Sequence, residues 1–271
     1  SGPDGVWPAN WAPTLKTIDI KNVKVSACSA KDISTELQKK LDSGVKEINL
    51  PGGDFKISAL AIPADVTLKG ASNTVLFLDS NIPDKPIITL NGSNITLKSF
   101  TIKLHDSVLV QAQPGKRTQF ITGKKINNLV IDKVNFINTD KQFKIIRSVV
   151  MAKKPGNKHM KVKLWRWHLM ELTDCKDIEI MNCKFKNFCS GIMATQCFRV
   201  SFHDNTGING LHNMIRFYNG SEYFKFYNNW FSHVKHPMVW DGGDCAPHHT
   251  KLKPSGAQAA STVYRTMKLG D

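Results

Sequence analysis

The sequence predicts an all-β chain folded as a parallel β-solenoid and closed at its start by a short α-helix. Three observations carry that prediction. A helical period gives way to short β-rich runs between residues 32 and 70. A unit of strand, Asn turn and strand then recurs as far as about residue 233. The spacing of that unit is uneven, as insertions into some coils of a solenoid would make it.

The helix is expected over 32–43. Ile33, Leu37 and Leu41 recur every four residues, Ser29 or Asp32 stands where an N-cap belongs, and Gly44 lies just past the end. Three β-rich runs follow at 46–50, 55–57 and 66–69, separated by Pro51-Gly52-Gly53 and Pro63-Ala64-Asp65, which are turn punctuation. This order of capping helix, apolar run, Pro-Gly-Gly turn, aromatic-containing strand and IPADVTLKG resembles the N-terminal entry of the pectate-lyase-like right-handed parallel β-helices. That superfamily includes many polysaccharide lyases and phage tailspike-type proteins. The resemblance spans about forty residues, and it implies the right-handed winding.

The repeat continues the pattern in ITLKSFTIK (95–103), LVIDKVNFIN (129–138), IEIMNCKFKN (178–187), FRVSFHDN (198–205) and FKFYNNWFSH (224–233). In each, two apolar residues lie two apart and a sharp turn re-aims the chain. Asn182, Asn205 and Asn228 fall at this turn, where Asn tolerates the left-handed conformation, and stacked coils would line them into a ladder. Repeat starts near 66, 95, 129, 178, 198 and 224 place the largest insertion between about 139 and 168. With 41% hydrophobic residues the chain can bury one continuous core, so a single domain over 1–271 is expected. It would comprise an N-terminal extension (1–31), the helix (32–43), coils (45–245) and a C-terminal cap or tail (246–271), the last either a true cap or a cut inside a longer protein. No apolar run approaches the roughly 18 residues of a membrane span. Ser1-Gly2 reads as a processed or added end, so targeting is not visible; by resemblance a secreted, periplasmic or virion-associated location is expected.

Cys175, Cys183, Cys189 and Cys197 lie inside or beside predicted strands with no C-x-x-C pair, which favours buried free thiols over a disulfide framework or zinc. One bridge involving Cys28 or Cys245 stays open. Charge is the second signal. The net charge is +15, and from Lys141 to Met170 there are nine Lys or Arg and no acid. This stretch reads as a hairpin: RSVVMA, a KKPGNK turn carrying Lys153, Lys154 and Lys158, then a return arm with Trp165, Arg166, Trp167 and His168. Such a patch steers anions, and aromatic faces beside cations stack on sugars or bases. The alternative is a solvated loop that only aids solubility. Nucleic acid fits the charge, yet nothing resembles a groove-reading helix or an RNA-binding sheet, so it is not the favoured partner. By resemblance, an acidic polysaccharide, uronate-containing or sulfated, lies in a groove along one parallel sheet. Oligomeric state stays open.

The groove strands are expected at 167–172, 191–195, 213–218 and 238–241, with alternate residues facing out. If Ile215 and Phe217 face in, Arg216 and Tyr218 face the groove; Val239 inward would put Trp240 outward. For β-elimination by a polysaccharide lyase, Arg216 would neutralise a uronate carboxylate, one of His212, His233 and His236 would take the proton, and Tyr218 would donate to the leaving oxygen. Each histidine has a plain structural alternative, such as closing a turn. Hydrolysis would need two flanking acids, for which Asp241 with Asp244, or Glu171, are the candidates. No metal or other cofactor is expected; calcium, common among pectate lyases, lacks a suitable Asp-rich strand pair here. Two other readings stay open: a non-catalytic glycan-binding β-helix such as a phage tail or adhesin segment, and a β-helix hydrolase or epimerase.

Overall fold

The computed structural model describes residues 23–79, 85–111, 118–151, 167–241 and 268–269. The chain winds through stacked coils, each laying one strand on each of three parallel sheets. Sheet 1 is the seven-stranded one: Glu47–Leu50, Val66–Gly70, Ile95–Lys98, Asn127–Asp132, Lys176–Met181, Phe198–His203 and Glu222–Tyr227. These strands open coils 1 to 7. Sheet 2 follows in each coil, with Gly53–Ile57, Thr74–Leu78, Thr101–Leu104, Asn135–Ile137 and Lys184–Phe188 in coils 1 to 5. Sheet 3 closes the coils with Leu60–Pro63, Ile88–Asn91, Thr118–Lys124, Trp167–Thr173 and Ser190–Thr195. In coils 6 and 7 the strands Thr206–Tyr218 and Trp230–Asp241 run without a break from sheet 2 into sheet 3, which joins the two.

Stacking follows from side chains of one kind meeting in register. On sheet 1 the inward row reads Ile48, Leu68, Leu97, Ile131, Ile180, Phe202 and Phe226, all buried. On sheet 3 it reads Leu60, Ile88, Ile121, Met170, Ile192, Ile215 and Met238. Burying each such side chain contributes about 1.5–3 kcal/mol, so the register that aligns them is strongly specified. On sheet 2 Phe136 stacks on Phe185 at 5.1 Å. The next residue in that row is Gly207, where a Cβ would come within 2.6 Å of the Phe231 ring.

Left-handed residues turn the corners in columns. Between sheets 1 and 2 the column is Ser99, Lys133, Asn182, Asp204 and Asn228, all at φ of 50–60°. The sequence therefore located this corner, with one correction. Asn205 is not at the left-handed position, which Asp204 takes, but one residue further on and fully buried. There a different ladder forms: Asn205 Oδ1 accepts from Cys183 N–H at 2.9 Å, and Asn229 Oδ1 accepts from Asn205 N–H at 3.0 Å. Their amides donate to Ile180 and Phe202 carbonyls. Cys175, Cys183, Cys189 and Cys197 are buried free thiols and Cys28 is free and half-buried; Cys245 lies outside the described residues.

Helix α1 (Ser34–Asp42) buries Leu37 and Leu41 against the first coil. Asp32 Oδ1 accepts from Ser34 N–H at 3.0 Å, so Asp32, rather than Ser29, ties down the start. The Gln38 side chain pairs in both directions with the Ala61 backbone, at 2.8 and 3.0 Å. It thereby satisfies the outer edge of sheet 3, an edge that would otherwise offer itself to another strand.

Insertions gather at one corner, between sheets 2 and 3 of coils 2, 3 and 4. Coil 3 carries helix α2 (Asp106–Gln111) there and coil 4 carries helix α3 (Asp140–Met151), which packs against it. Helix α3 corrects the expected hairpin: its first arm is helical. The physical reason is a capping box. Gln142 N–H donates to Thr139 Oγ1 at 3.2 Å and Thr139 N–H donates to Gln142 Oε1 at 2.8 Å, while Phe143, Ile145 and Ile146 supply the buried face. The KKPGNK turn and most of the return arm lie outside the described residues. No described helix is long and apolar enough to cross a membrane.

Candidate functional site

All four expected groove strands lie on sheet 3, and the register fixes which residues share its outer face. One outward row reads Thr122, Glu171, Met193, Arg216 and Val239; the next reads Lys124, Thr173, Thr195, Tyr218 and Asp241. Between them the inward row of Leu172, Ala194 and Phe217 is fully buried. Arg216 and Tyr218 are thus outward, as alternation predicts. They border a depression of about 350 Å³ lined by Glu171, Thr173, Met193, Thr195, Arg216, Tyr218 and Asn219. The guanidinium carbon of Arg216 lies 5.3 Å from the Tyr218 ring centroid, a cation–π distance that holds the arginine against its neighbour. Burial lowers the pKa of Arg216 from the ordinary guanidinium value. On the floor, Thr195 Oγ1 is buried and has no hydrogen-bond partner among the described residues.

The three histidines separate. His212 and His236 meet edge to face at 5.9 Å where the coil 6 and coil 7 strands enter sheet 3, and Ser190 Oγ lies 3.5 Å from His212 Nδ1. Burial, then the nearby His236, Lys235 and Arg216 charges, pulls the His212 pKa down to about 3. His236 is lowered too, by burial and by Lys235. His233 is exposed, in the left-handed conformation at φ 53°, with Nδ1 2.8 Å from Ser232 Oγ. It turns the corner and does not line the depression.

Two expected sugar contacts are corrected. Trp167 is 5% exposed and packs edge-on against Phe120 at 5.8 Å; His168 is 1% exposed. Both start a strand flanked by neighbours on either side, so their surface is spent on packing. Trp240 is the third correction. Its strand position pairs with Phe217, the inward row, while Val239 pairs with Arg216. The coil from Arg216 to Val239 has an odd length, which moves the outward face from even to odd numbers.

Among the acids, Glu171 is buried at the edge of the depression and its carboxylate accepts from Gln119 Nε2. Asp241 stands in register with Tyr218 one coil further on. Lys153, Lys154, Lys158, Trp165, Arg166 and Asp244 lie outside the described residues. Sequence reasoning missed Thr173, Met193, Thr195 and Lys124, all of which share the outward alternation with Arg216 and Tyr218 once the coils are aligned. Among the described residues no group of three or more His, Cys, Asp or Glu gathers as metal ligands would.

No family model and no curated protein matches the sequence. Solved structures do match by shape. The A-module of the Azotobacter vinelandii mannuronan C-5 epimerase AlgE6 superposes with a TM-score of 0.52 at 13% identity, covering 82% of this chain and 57% of that one. The catalytic domain of a GH87 α-1,3-glucanase gives 0.54 at 15% identity, covering 81% of this chain and 37% of that one. The chain therefore spans little more than half of the first and just over a third of the second. Stacked coils, three parallel sheets and these likenesses together show the fold, a right-handed parallel β-helix.

Proposed function

We propose that the chain binds a linear acidic glycan across the coils of sheet 3 and cleaves it by β-elimination at Arg216. One observation carries the reading: a half-buried arginine, held over a tyrosine ring, borders a depression floored by threonine and methionine. Elimination requires that a uronate carboxylate be neutralised, the proton on the adjoining carbon removed and the glycosidic oxygen protonated as it leaves. Arg216 offers a planar fork matched to a carboxylate, and it is already in place beside the depression as negative charge builds on the sugar. Tyr218, the next outward residue, donates to the leaving oxygen. His236 is the assigned base; like His212 it stands where the strands enter sheet 3 and not on the lining of the depression, and a substrate would have to reach from Arg216 toward it. His212, with its pKa near 3, is too weak an acceptor.

A paired-carboxylate hydrolysis is less well supported. Glu171 and Asp241 stand on strands three spacings apart, about 14 Å at roughly 4.8 Å per strand, whereas flanking acids sit about 5–9.5 Å apart. The epimerase and glucanase that share the fold are named for glycans, which supports a sugar polymer as ligand without choosing the reaction. The test is absorbance at about 235 nm, where the unsaturated product of elimination absorbs, on incubation with alginate, pectate, hyaluronan or chondroitin sulfate. A rise that Arg216→Ala removes is expected. Binding with no rise on any of the four would replace this reading with the non-catalytic one.

A further inference from the structure

We propose that Cys175 and Cys197 form a modification site, at which a small peroxide joins coils 4 and 5 through a disulfide. The two cysteines hold equivalent places in consecutive coils. Each stands just before a strand of sheet 1, and those strands run in register from Lys176 with Phe198. Each also stands just beyond a strand of sheet 3, where Thr173 pairs with Thr195. The Phe198 N–H donates to the Cys175 carbonyl at 2.8 Å, so the corner between the sheets keeps the strand spacing of about 4.8 Å. A disulfide needs Cα atoms about 4.4–6.8 Å apart, and this spacing falls within that range. The other buried thiols lack such a partner in the next coil, where the register sets Asn205 beside Cys183 and Leu211 beside Cys189.

Both thiols are buried, and a hydrogen bond joins them. That bond lowers the pKa of Cys175; the same bond, and then burial, raises that of Cys197. Cys175 is thus the thiol that ionises first and attacks. Its sulfur bonds to one peroxide oxygen, the O–O bond breaks, and the departing hydroxide takes the Cys175 proton as water. Cys197 sulfur then attacks the resulting sulfenic acid, the S–O bond breaks, and the second hydroxide leaves with the Cys197 proton. Two thiols are oxidised and one peroxide is reduced to two waters. Exposed Lys176 and Gln196 flank the pair, so a small local opening of the corner admits an oxidant little larger than water. The link would tie together the ends of the two strands whose Thr173 and Thr195 line the depression.

The experiment treats the folded, fully reduced chain with hydrogen peroxide, blocks remaining thiols with iodoacetamide in denaturant, and maps non-reduced peptides by mass spectrometry. A peptide pair joined through Cys175 and Cys197, and released by dithiothreitol, is expected. The melting temperature of the oxidised chain should rise by about 5–10 °C, the scale of closing a loop of this length in a chain of this size. Cys183→Ser should keep both the link and the rise, and Cys197→Ala should lose both. Cys175 and Cys197 both recovered as alkylated thiols after peroxide, or joined to other cysteines instead of to each other, overturns the proposal. A Cys175–Cys197 link that leaves the melting temperature unchanged overturns the claim that it ties the coils. Should Cys197→Ala fail to fold, the peptide map and melting curve of the native sequence decide.

Discussion

Sheets 1 and 3 are built from the same coils by the same stacking, yet the register sets different residues beside their outward charges. On sheet 1 charges meet across coils and close on one another. Arg199 clasps Asp177 at 2.6 Å, Lys98 pairs with Asp132 at 3.1 Å, and both ring nitrogens of His203 face carboxylates, of Asp204 at 2.6 Å and Glu179 at 3.2 Å. On sheet 3 the register neighbours of Arg216 are Met193 and Val239, and the guanidinium is turned onto Tyr218 beside an open depression. Identical backbone thus carries paired charges on one face and an arginine against a tyrosine beside a depression on the other, and the outward residue types decide which.

The sharpest way to break this contrast is to remove one arginine from each face. Arg216→Ala should lower turnover by about 100-fold or more, the scale of losing a positioned electrostatic stabiliser, while the melting temperature hardly moves. Arg199→Ala should leave turnover unchanged, since its guanidinium is closed on Asp177 and does not line the depression. Comparable kinetic losses in both would mean that the arginines act through the fold. Tyr218→Phe should cost roughly 100-fold in kcat with little change in KM, as loss of a proton donor does; an effect on KM alone would reduce Tyr218 to a platform.

Stability sharpens the comparison at the corner behind sheet 1. Asn205→Ala strands a buried N–H of Cys183 and should destabilise by about 1–3 kcal/mol in denaturant unfolding, whereas Asn182→Ala should cost about 1 kcal/mol or less, because Asn182 is exposed and the buried Asp132 it bonds keeps Lys98 as a partner. Equal costs would show that the buried ladder carries nothing special. The smallest effect is in pH. His212 has its folded pKa lowered to about 3 from 6.5, so between those values the unfolded chain binds the extra proton. Its contribution is fully present above about pH 6.5 and is lost progressively as pH falls toward 3. Melting temperature should therefore fall with acid more steeply in the native protein than in His212→Gln; parallel curves would remove His212 from the account.

Much of this was legible in the sequence, for a physical reason: the corners of a β-helix need left-handed backbone, and Asn182 and Asn228 mark them, while alternation around Ile215 and Phe217 turns Arg216 and Tyr218 outward. The misplacement of Trp240 has a definite cause. Alternation reads reliably within a strand, but it passes to the next coil only through the length of the turn, and the odd length between Arg216 and Val239 reversed Trp240. The helix at 140–151 was legible as well, in Thr139 and Gln142, but its Val-rich tail reads as strand when the cap is overlooked. The burial of Trp167 and His168 was not legible, since nothing local says that a strand's first residues are covered on both sides.

The corner between sheets 2 and 3 also tells where this molecule can grow. Chain leaving there returns to a strand whose position both neighbours dictate, so coils 2, 3 and 4 carry excursions of very different length without disturbing the rows on either side. Within the tight coils 5 to 7 a single added residue would instead turn the next strand inside out. New recognition elements, natural or grafted, are admissible at one seam of the spiral, where the sheet 3 strands begin, while the depression stays untouched at the strands' far ends.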